Sequence, residues 1–369
     1  MRFLIAPNAY KGTFTALEAV ALIKEVLVQG YPSSQFTSQA LADGGDGTCA
    51  LLADSLSLER IDCLSLNAIG QPLVGFFAWE ESSKTAFLDV STCSGLGALS
   101  TYAREPSLAS TFGTGILIQH AIQKGAKHLI LGLGGSATID LGVGILQALG
   151  FLFLDQNGRE IPAFSPEFLK RCQHIQRPLR LPEISFTCLC DVRNLFFGPK
   201  GAVPVFGPQK GVREAEIEAT EVSTAAMVDL LLRKSSHPVL DQPGFGAAGG
   251  IAFGLAQFFP CQLEFGAPYF FEQVDLEEKV KQVDWILTGE GQYDAQSEEG
   301  KACFELKHLA HKHGKKIALI ASGKEGYTSD FDAVLELPWL DFSDPAYKKK
   351  ALKQFQGLLR EAIATKIFD

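Results

Sequence analysis

The stretch Phe36-Thr-Ser-Gln-Ala-Leu-Ala-Asp-Gly-Gly-Asp-Gly-Thr48 joins a mostly apolar run to a glycine-rich segment, and a second apolar run follows it. This order predicts a strand near residues 36–41, a tight turn and then a helix. The beginning of the chain repeats it. Arg2–Ala6 predicts a buried strand, and Thr15-Ala-Leu-Glu18 has the spacing of a capping box that opens a helix to about Gln29. Both segments indicate an α/β fold.

The middle of the chain has a different pattern. From Ile61 to Val90, short alternating runs are separated by Gly70-Gln-Pro72 and by Glu81-Ser-Ser83, which predicts an antiparallel meander. The α/β order returns near the end of the chain, at Trp285–Thr288, at Lys316–Ala321 and in a basic amphipathic helix from about Tyr347 to Ile363.

We therefore predict a discontinuous, parallel-sheet (Rossmann-like) α/β domain formed by residues 1–66 and 283–369. A second, mixed α/β domain with antiparallel strands, residues 67–282, is inserted into it. Both chain ends carry glycine-rich loops directly after strands, which is where open α/β sheets bind ligands. We expect the site in a cleft between the two domains.

Composition limits the classes of function. The chain has 369 residues, 46% of them hydrophobic, and a net charge of −9. That charge argues against a nucleic-acid binder, because affinity for the phosphate backbone comes from clustered Lys and Arg. The apolar stretch Leu129–Leu154 is interrupted by polar residues and glycines, so we expect no membrane helix. The scattered cysteines and the short apolar N-terminus predict a cytoplasmic protein with reduced thiols; whether it forms a homodimer is left open.

The glycines gather in clusters beside hydroxyl, acidic or lysine side chains, a pattern that favours binding of an anion. A single cluster is as well explained by a tight turn, but seven in one chain indicate a polyphosphate site. No Walker A sequence and no protein-kinase catalytic loop is present. The clusters are Lys11–Thr13, Ala42–Thr48, Thr111–Gly115, Gly132–Thr138, Phe206–Gly211, Gly244–Gly250 and Thr288–Gly291.

One cluster suggests a competing function. Gly132-x-Gly134-x-x-Ala137 follows an apolar strand, and Asp155 follows a second apolar run, Phe151–Leu154, which is close to a dinucleotide-binding fingerprint. However, Asp155-Gln-Asn-Gly158 predicts a hairpin turn, so the second run should pair antiparallel. The βαβ crossover of a nicotinamide-dependent oxidoreductase would then be absent.

The charged residues beside these loops can supply phosphoryl-transfer chemistry. Carboxylates hold Mg²⁺ and take the proton of the attacking hydroxyl, and lysines bind phosphate or a substrate carboxylate. Each has a plainer interpretation, since aspartates also cap helices and lysines are usually solvated. The candidates are Asp43, Asp46, Asp140, Asp191, Glu290 and Asp294, with Lys11, Lys210 and Lys301.

Over essentially its whole length the chain resembles the type 1 glycerate kinases. The resemblance rests on many ordered matches, among them Leu41–Gly45, Gly132–Thr138, Cys190–Val192, Phe206–Gly211 and Thr288–Gly291. It implies ATP-dependent, Mg²⁺-assisted phosphorylation of D-glycerate to a phosphoglycerate, by a two-domain α/β enzyme with one discontinuous domain. Its small-molecule partners would be D-glycerate and ATP, without nucleic acid or membrane.

Within that expectation we assign roles by chemistry. Lys11, Asp191 and Asp294 are the catalytic candidates, with Asp191 orienting the glycerate hydroxyl and Asn194 sharing the same ligand. Asp46 and Glu290 are the metal candidates. The candidates for substrate and phosphate binding are Asp43, Gly113, Thr114, Gly134, Gly135, Ser136, Lys210, Gly249, Gly250, Gly289 and Lys301.

The chain also departs from the pattern it resembles. The family usually has Arg, Gly, Pro, Asn and Gly where this chain has Gln292, Ala295, Cys303, Ile139 and Leu141, respectively, and Asp and Glu in place of Asn8 and Asp46. Losing an arginine beside Glu290 removes a bidentate contact to a carboxylate or phosphate. An altered hydroxy-acid substrate, or a protein that binds without turnover, is therefore the alternative. The sequence does not decide whether the product is 2- or 3-phosphoglycerate.

Overall fold

A computed structural model describes residues 1–100, 104–293, 300–322 and 330–369. It divides into two compact units, one formed by Met1–Asp43 with Ala267–Asp369 and the other by Gly44–Gly266. The strands are β1 Arg2–Ile5, β2 Gln35–Ser38, β3 Glu59–Leu66, β4 Pro72–Glu80, β5 Thr85–Asp89, β6 His128–Gly132, β7 Leu152–Leu154, β8 His174–Gln176, β9 Ser185–Cys190, β10 Cys261–Phe265, β11 Trp285–Gln292, β12 Lys316–Ser322 and β13 Ala333–Leu337. The helices are α1 Ala16–Gly30, α2 Thr48–Leu56, α3 Ser91–Ser94, α4 Phe112–Lys124, α5 Val143–Ala148, α6 Phe168–Arg171, α7 Ala202–Lys210, α8 Ile217–Lys234, α9 Ile251–Ala256, α10 Gly266–Gln273, α11 Leu276–Lys281, α12 Ala302–Lys312 and α13 Tyr347–Ala364.

The first unit, formed by the two chain ends, has a five-stranded parallel sheet in the order β13-β12-β11-β1-β2. Phe3, Leu4 and Ile5 of β1 are completely buried, as expected for a strand that pairs on both sides in a parallel sheet. The predicted capping box is confirmed, because the Glu18 amide donates to Thr15 Oγ1 (3.2 Å) and the Thr15 amide donates to Glu18 Oε2 (2.8 Å). The discontinuous parallel-sheet domain predicted from the sequence is confirmed.

The second unit has a six-stranded mixed sheet in the order β10-β9-β6-β5-β4-β3. β3, β4 and β5 pair antiparallel, which confirms the predicted meander, whereas β5, β6, β9 and β10 pair parallel. The carboxyl ends of β5, β6 and β9 therefore lie at one edge of the sheet. The loops that follow them begin there.

The bounds of the two units differ from the predicted 66/67 and 282/283. β3 pairs with β4 along its whole length, from Glu59 opposite Trp79 to Leu66 opposite Pro72, so it belongs to the second unit. The division falls instead between Asp43 and Gly44, and at the other end between Gly266 and Ala267, so that α11 lies in the first unit. The change of pattern at residue 61 marks a change from helix to sheet inside one unit.

The apolar stretch from residue 129 to residue 154 is divided among β6, α5 and β7. β7 pairs antiparallel with β8, and a turn closes behind it, where the Gly158 amide donates to the Asp155 carbonyl at 2.9 Å. β7 is not paired with β6, so the βαβ unit of a dinucleotide fingerprint is absent from this segment, as the predicted hairpin requires. Among the described helices, none is both long and apolar enough to span a membrane.

Candidate active site

Two glycine-rich loops of the second unit pack backbone against backbone. The Gly134 amide donates to the Gly44 carbonyl at 3.2 Å. A Cβ at Gly134 would lie 2.2 Å from the carbonyl carbon of Gly45, and one at Gly44 would lie 2.8 Å from the Cys190 carbonyl. The loops after β6 and before α2 therefore interlock beside the end of β9. Only glycine permits this approach.

A buried carboxylate supports the first of these loops. Asp89, the last residue of β5, accepts hydrogen bonds from the amides of Cys49 and Ala50, both at 3.0 Å, in the first turn of α2. Burial raises the pKa of Asp89 to about 7; its hydrogen bonds oppose this shift and the charge of Asp46 adds to it. Asp89 is not among the residues predicted from the sequence, although its position directly after the apolar run Ala86–Leu88 was a usable signal.

Asp46, on the loop that Asp89 supports, is exposed. Its carboxylate is therefore placed to meet a solvated ligand. Gly135, across the interlock, has a left-handed φ of 73°, and a Cβ there would lie 3.1 Å from the Asp46 carboxyl carbon. The structure thus brings two predicted site residues, Asp46 and Gly135, together in one unit.

The loop after Gly135 is held by a buried lysine. The Ser136 hydroxyl accepts from the Thr138 amide at 3.1 Å, and Lys210 Nζ donates to the Thr138 carbonyl at 2.8 Å. Burial lowers the pKa of Lys210 to about 7, while the charge of Asp140 acts in the opposite direction. Lys210, predicted to bind phosphate, holds a backbone carbonyl in this structure.

Asp140 forms the second buried carboxylate centre. It accepts from the Thr111 amide (2.7 Å) and hydroxyl (2.8 Å), and from the amides of Gly142 (3.2 Å) and Gly144 (3.3 Å). Burial raises the pKa of Asp140, and these hydrogen bonds oppose the shift. The carboxylate ties the start of α4 to the start of α5. Sequence analysis noted Asp140 without giving it a role, because its partner Thr111 lies 29 residues away along the chain.

Several predicted binding residues have partners in the protein that account for their type. A Cβ at Gly113 would lie 1.9 Å from the Leu66 carbonyl oxygen. The Thr114 hydroxyl lies 2.9 Å from the Ser94 hydroxyl and is fully buried. A Cβ at Gly249 would lie 2.2 Å from the Thr138 carbonyl oxygen, and Gly250 has a φ of 86° at the start of α9. These contacts account for the residue types at the four positions, and their predicted role in binding substrate or phosphate stays a prediction.

Asp191 follows β9 directly, as predicted, and is half-buried. Asn194, three residues on, makes structural contacts, since its Nδ2 donates to the Lys200 carbonyl at 2.7 Å. Its own carbonyl accepts from the amides of Gly244 (3.1 Å) and Gly246 (2.9 Å). The catalytic role of Asp191 stays a prediction. Asn194 could bind the same ligand as Asp191 only if its side chain gave up the hydrogen bond to Lys200.

In the first unit, the predicted lysines lie on turns. Lys11 is exposed in the turn that the Tyr10–Phe14 bridge closes. Lys301 occupies the N-cap position of α12, after Gly300 with its left-handed φ of 110°. Lysine cannot accept a hydrogen bond from the first turn of a helix, so a capping role does not explain Lys301.

The carboxylates predicted in the first unit lie near its strand ends. Asn8 Nδ2 donates to Asp43 Oδ2 at 2.9 Å. Gly289 lies beneath the Tyr10 hydroxyl, because a Cβ there would be only 2.0 Å from it. Glu290 is buried on β11, where the register with β12 shifts. Asp294 lies outside the described residues.

The residues described by the structure contain no group of three or more His, Cys, Asp or Glu side chains arranged to hold a metal ion. Of the two metal candidates, Asp46 belongs to the second unit and Glu290 to the first. Mg²⁺ commonly uses only one or two protein carboxylates together with substrate phosphates. An exposed carboxylate such as Asp46 fits that donor set.

Comparison with known proteins decides the family. The sequence profile of the glycerate kinase family matches residues 3–365. The chain belongs to the glycerate kinase family. It is 34% identical to a glycerate kinase of Haemophilus influenzae over 335 residues, 90% of this chain and 89% of that one. It is also 34% identical to a glycerate 2-kinase of Escherichia coli over 325 residues, 87% and 85% of the two chains.

A solved structure agrees with the sequence comparison. The putative glycerate kinase 2 of Salmonella typhimurium superimposes with a TM-score of 0.82 at 30% identity, over 99% of this chain and 98% of that one. The resemblance stated from the motifs and the α/β fold class are thereby confirmed. This member of the glycerate kinase family is a kinase, an enzyme of the transferase class.

Proposed function

We propose that this kinase transfers the γ-phosphoryl group of ATP to a hydroxyl of D-glycerate. The observation that carries the proposal is the interlock of the Gly44 and Gly134 loops at the carboxyl ends of three parallel strands, in a chain of the glycerate kinase family. Loops of this kind at strand ends bind phosphates in other α/β proteins. Catalysis by such a site comes mostly from positioning and charge neutralisation.

We assign binding of the phosphates to the backbone of these two loops, with Ser136 beside them. Lys11, exposed on its turn, and Lys301 supply positive charge to the phosphates or to the glycerate carboxylate. Lys210 supports the loop through the Thr138 carbonyl. We assign Asp43 to the substrate, through its contact with Asn8.

Asp191 is our candidate for the carboxylate that accepts the proton of the attacking hydroxyl, because it lies half-buried at a strand end. Asp294 is the next candidate. Asp46 and Glu290 would hold Mg²⁺, which when bound neutralises charge on the triphosphate. We further propose that the enzyme acts in the cytoplasm, and its eight free cysteines are consistent with a reducing compartment.

A coupled assay of ADP release tests this function. Purified protein is given ATP with D-glycerate, L-glycerate or glycerol, with and without Mg²⁺. We expect turnover with D-glycerate and Mg²⁺ only, and EDTA should abolish it, because the triphosphate must be partly neutralised before an acidic protein can hold it. Equal turnover of L-glycerate would remove the stereochemical assignment. Full activity in EDTA would contradict the role of the metal.

A further inference from the structure

A cavity of about 800 Å³ lies within the second unit. Its lining comes from residues 105–110, from the segment that ends in α5, from residues 164–170 and from residues 212–223, which include part of α8. Pockets for drug-sized ligands occupy about 300–1,000 Å³. Glycerate, a three-carbon acid, would fill only a small part of this space, so the cavity fits a larger ligand.

Part of the cavity wall is apolar. Ile139, Val143 and Val212 line it and are nearly completely buried, and Phe164 and Phe168 add aromatic rings. Apolar and aromatic walls suit a flat, weakly polar group such as a nucleobase, which gains from burial and stacking. Charged side chains also line the cavity; they are the acidic Glu105, Asp140, Glu167, Glu216 and Glu218 and the basic Lys170 and Arg213.

One polar group in the wall has an unused acceptor. Gln147 Nε2 donates to the Ile161 carbonyl at 2.9 Å. Because a carbonyl can only accept, this bond fixes which end of the amide is the nitrogen. Gln147 Oε1 is buried and accepts no hydrogen bond from the described residues. A ligand that brought an N–H donor here would satisfy it.

The same wall contains backbone in an unfavourable conformation. Phe164 has a φ of 60° and Glu167 a φ of 53°, in the left-handed region that non-glycine residues rarely adopt. Both line the cavity. Strained backbone of this kind concentrates at ligand sites, where the surrounding structure holds it in place.

The cavity lining includes residues of the chain segment that follows the phosphate-binding candidates Gly134 and Ser136. Ser110, Asp140 and Gly144 line the cavity, and Asp140 and Gly144 continue the chain segment that carries Gly134 and Ser136. Within the lining, the Asp140 carboxylate accepts from the Gly144 amide at 3.3 Å.

We propose that this cavity binds the adenosine portion of the ATP, with Gln147 Oε1 accepting from the exocyclic amino group of adenine. The inference rests on the proposed use of ATP. It adds where the adenine base of ATP binds, and it names Gln147 as the residue that distinguishes adenine from other bases. Adenine offers an amino donor at its 6-position, whereas hypoxanthine has an oxygen there, so the site should distinguish ADP from IDP.

A matched pair of variants on α8 tests the location. Ala219 and Ala225 are both exposed on this helix, but only Ala219 lines the cavity. We expect Ala219→Trp to fill the cavity and weaken ADP binding, measured by calorimetry on the full-length protein, by at least about tenfold. Ala225→Trp should bind ADP as the wild type does. The KM for D-glycerate should change less than about twofold in both variants.

Gln147→Leu tests the selectivity. The wild type should bind ADP more tightly than IDP by about fivefold or more, and the variant should lose that preference, as expected for one lost hydrogen bond. Melting temperatures of all variants establish that they fold. If Ala219→Trp binds ADP normally, the cavity is not the adenosine site, whether or not the enzyme uses ATP.

The two proposals fail in different ways. Wild-type protein that binds ADP but does not phosphorylate D-glycerate would refute the proposed reaction, while the variants would still decide the site. Wild-type protein that binds no ADP at all would refute both. Turnover with ATP together with unchanged ADP affinity in Ala219→Trp would refute only the site.

Discussion

The strand-end loops of the two units both depend on glycine, but they place their charges differently. In the second unit Gly134 packs on Gly45, and Asp89 and Lys210 are buried against backbone groups that use them, whereas Asp46 on the same loop is exposed. In the first unit Gly289 packs under a tyrosine hydroxyl, while Lys11 lies exposed in the adjacent turn. Asp89 and Lys210 therefore hold the loops of the second unit, and the exposed Asp46 and Lys11 are placed to meet ligands.

The largest expected effect comes from breaking the interlock. Gly134→Ala puts a Cβ 2.2 Å from the Gly45 backbone, which cannot move aside as a flexible side chain could. We expect kcat/KM to fall by about 10² or more, with a loss of about 1–3 kcal/mol in the free energy of unfolding. Gly97→Ala is the control, since a Cβ there meets nothing within 4 Å. Steady-state kinetics measures kcat/KM of both variants, and urea unfolding measures their free energy of unfolding. A fully active Gly134→Ala would show that the two loops are free to separate.

Asp191→Asn separates a catalytic carboxylate from a structural one. We expect kcat to fall by a factor of about 10² while the melting temperature stays nearly unchanged. Asparagine has the same shape as aspartate, but its amide cannot accept the proton of the attacking hydroxyl. Asp241→Asn provides the contrast, since Asp241 accepts from the amides of Phe196 and Phe197 and should affect melting more than kcat. If Asp191→Asn turns over at the wild-type rate, Asp294 becomes the candidate.

Lys11→Ala tests whether the exposed lysine meets a ligand. We expect kcat/KM to fall by about tenfold, equivalent to roughly 1.4 kcal/mol of transition-state stabilisation. Lys24→Ala, which removes an exposed lysine from α1, should leave kcat/KM unchanged. If the two variants fold and have the same kcat/KM, Lys11 is a solvated surface residue that contacts no ligand.

The smallest effect concerns the buried lysine. Burial lowers the pKa of Lys210 to about 7, so between about pH 7 and 10 the unfolded chain binds a proton that the folded protein releases. The stability of the wild type should therefore rise with pH across this window, relative to Lys210→Met. Urea unfolding at pH 7 and pH 9 measures the difference, with the exposed Lys200→Met as control. Identical pH dependence in wild type and Lys210→Met would mean that Lys210 is charged inside the fold.

Local patterns predicted the elements well, because they depend on neighbouring residues. The capping box at Thr15, the strand before Asp191 and the hairpin turn at Asp155 all follow from short-range chemistry. The hairpin also removed the dinucleotide alternative. The patterns that predict helices and strands do not predict an activity. The kinase activity was predicted from the resemblance to the family.

Tertiary partners could not be predicted in this way. A lysine beside glycines has the same sequence pattern whether it binds phosphate or, like Lys210, a carbonyl 72 residues away. The partners of Asp89 come from a helix 39 to 40 residues away along the chain. Leu141 shows the same limit for the backbone, because it has a φ of 56°, in the region that favours glycine, and its side chain is completely buried.

Phosphorus NMR of the reaction mixture tests the central claim most directly. Purified protein is incubated with ATP, Mg²⁺ and D-glycerate, and the signal of the γ-phosphate of ATP is followed together with any new phosphomonoester signal. We predict that the γ-phosphate signal decays as one phosphoglycerate signal appears, which also identifies the hydroxyl that is phosphorylated. ATP that stays intact, or that yields only inorganic phosphate, with correctly folded protein would contradict the account.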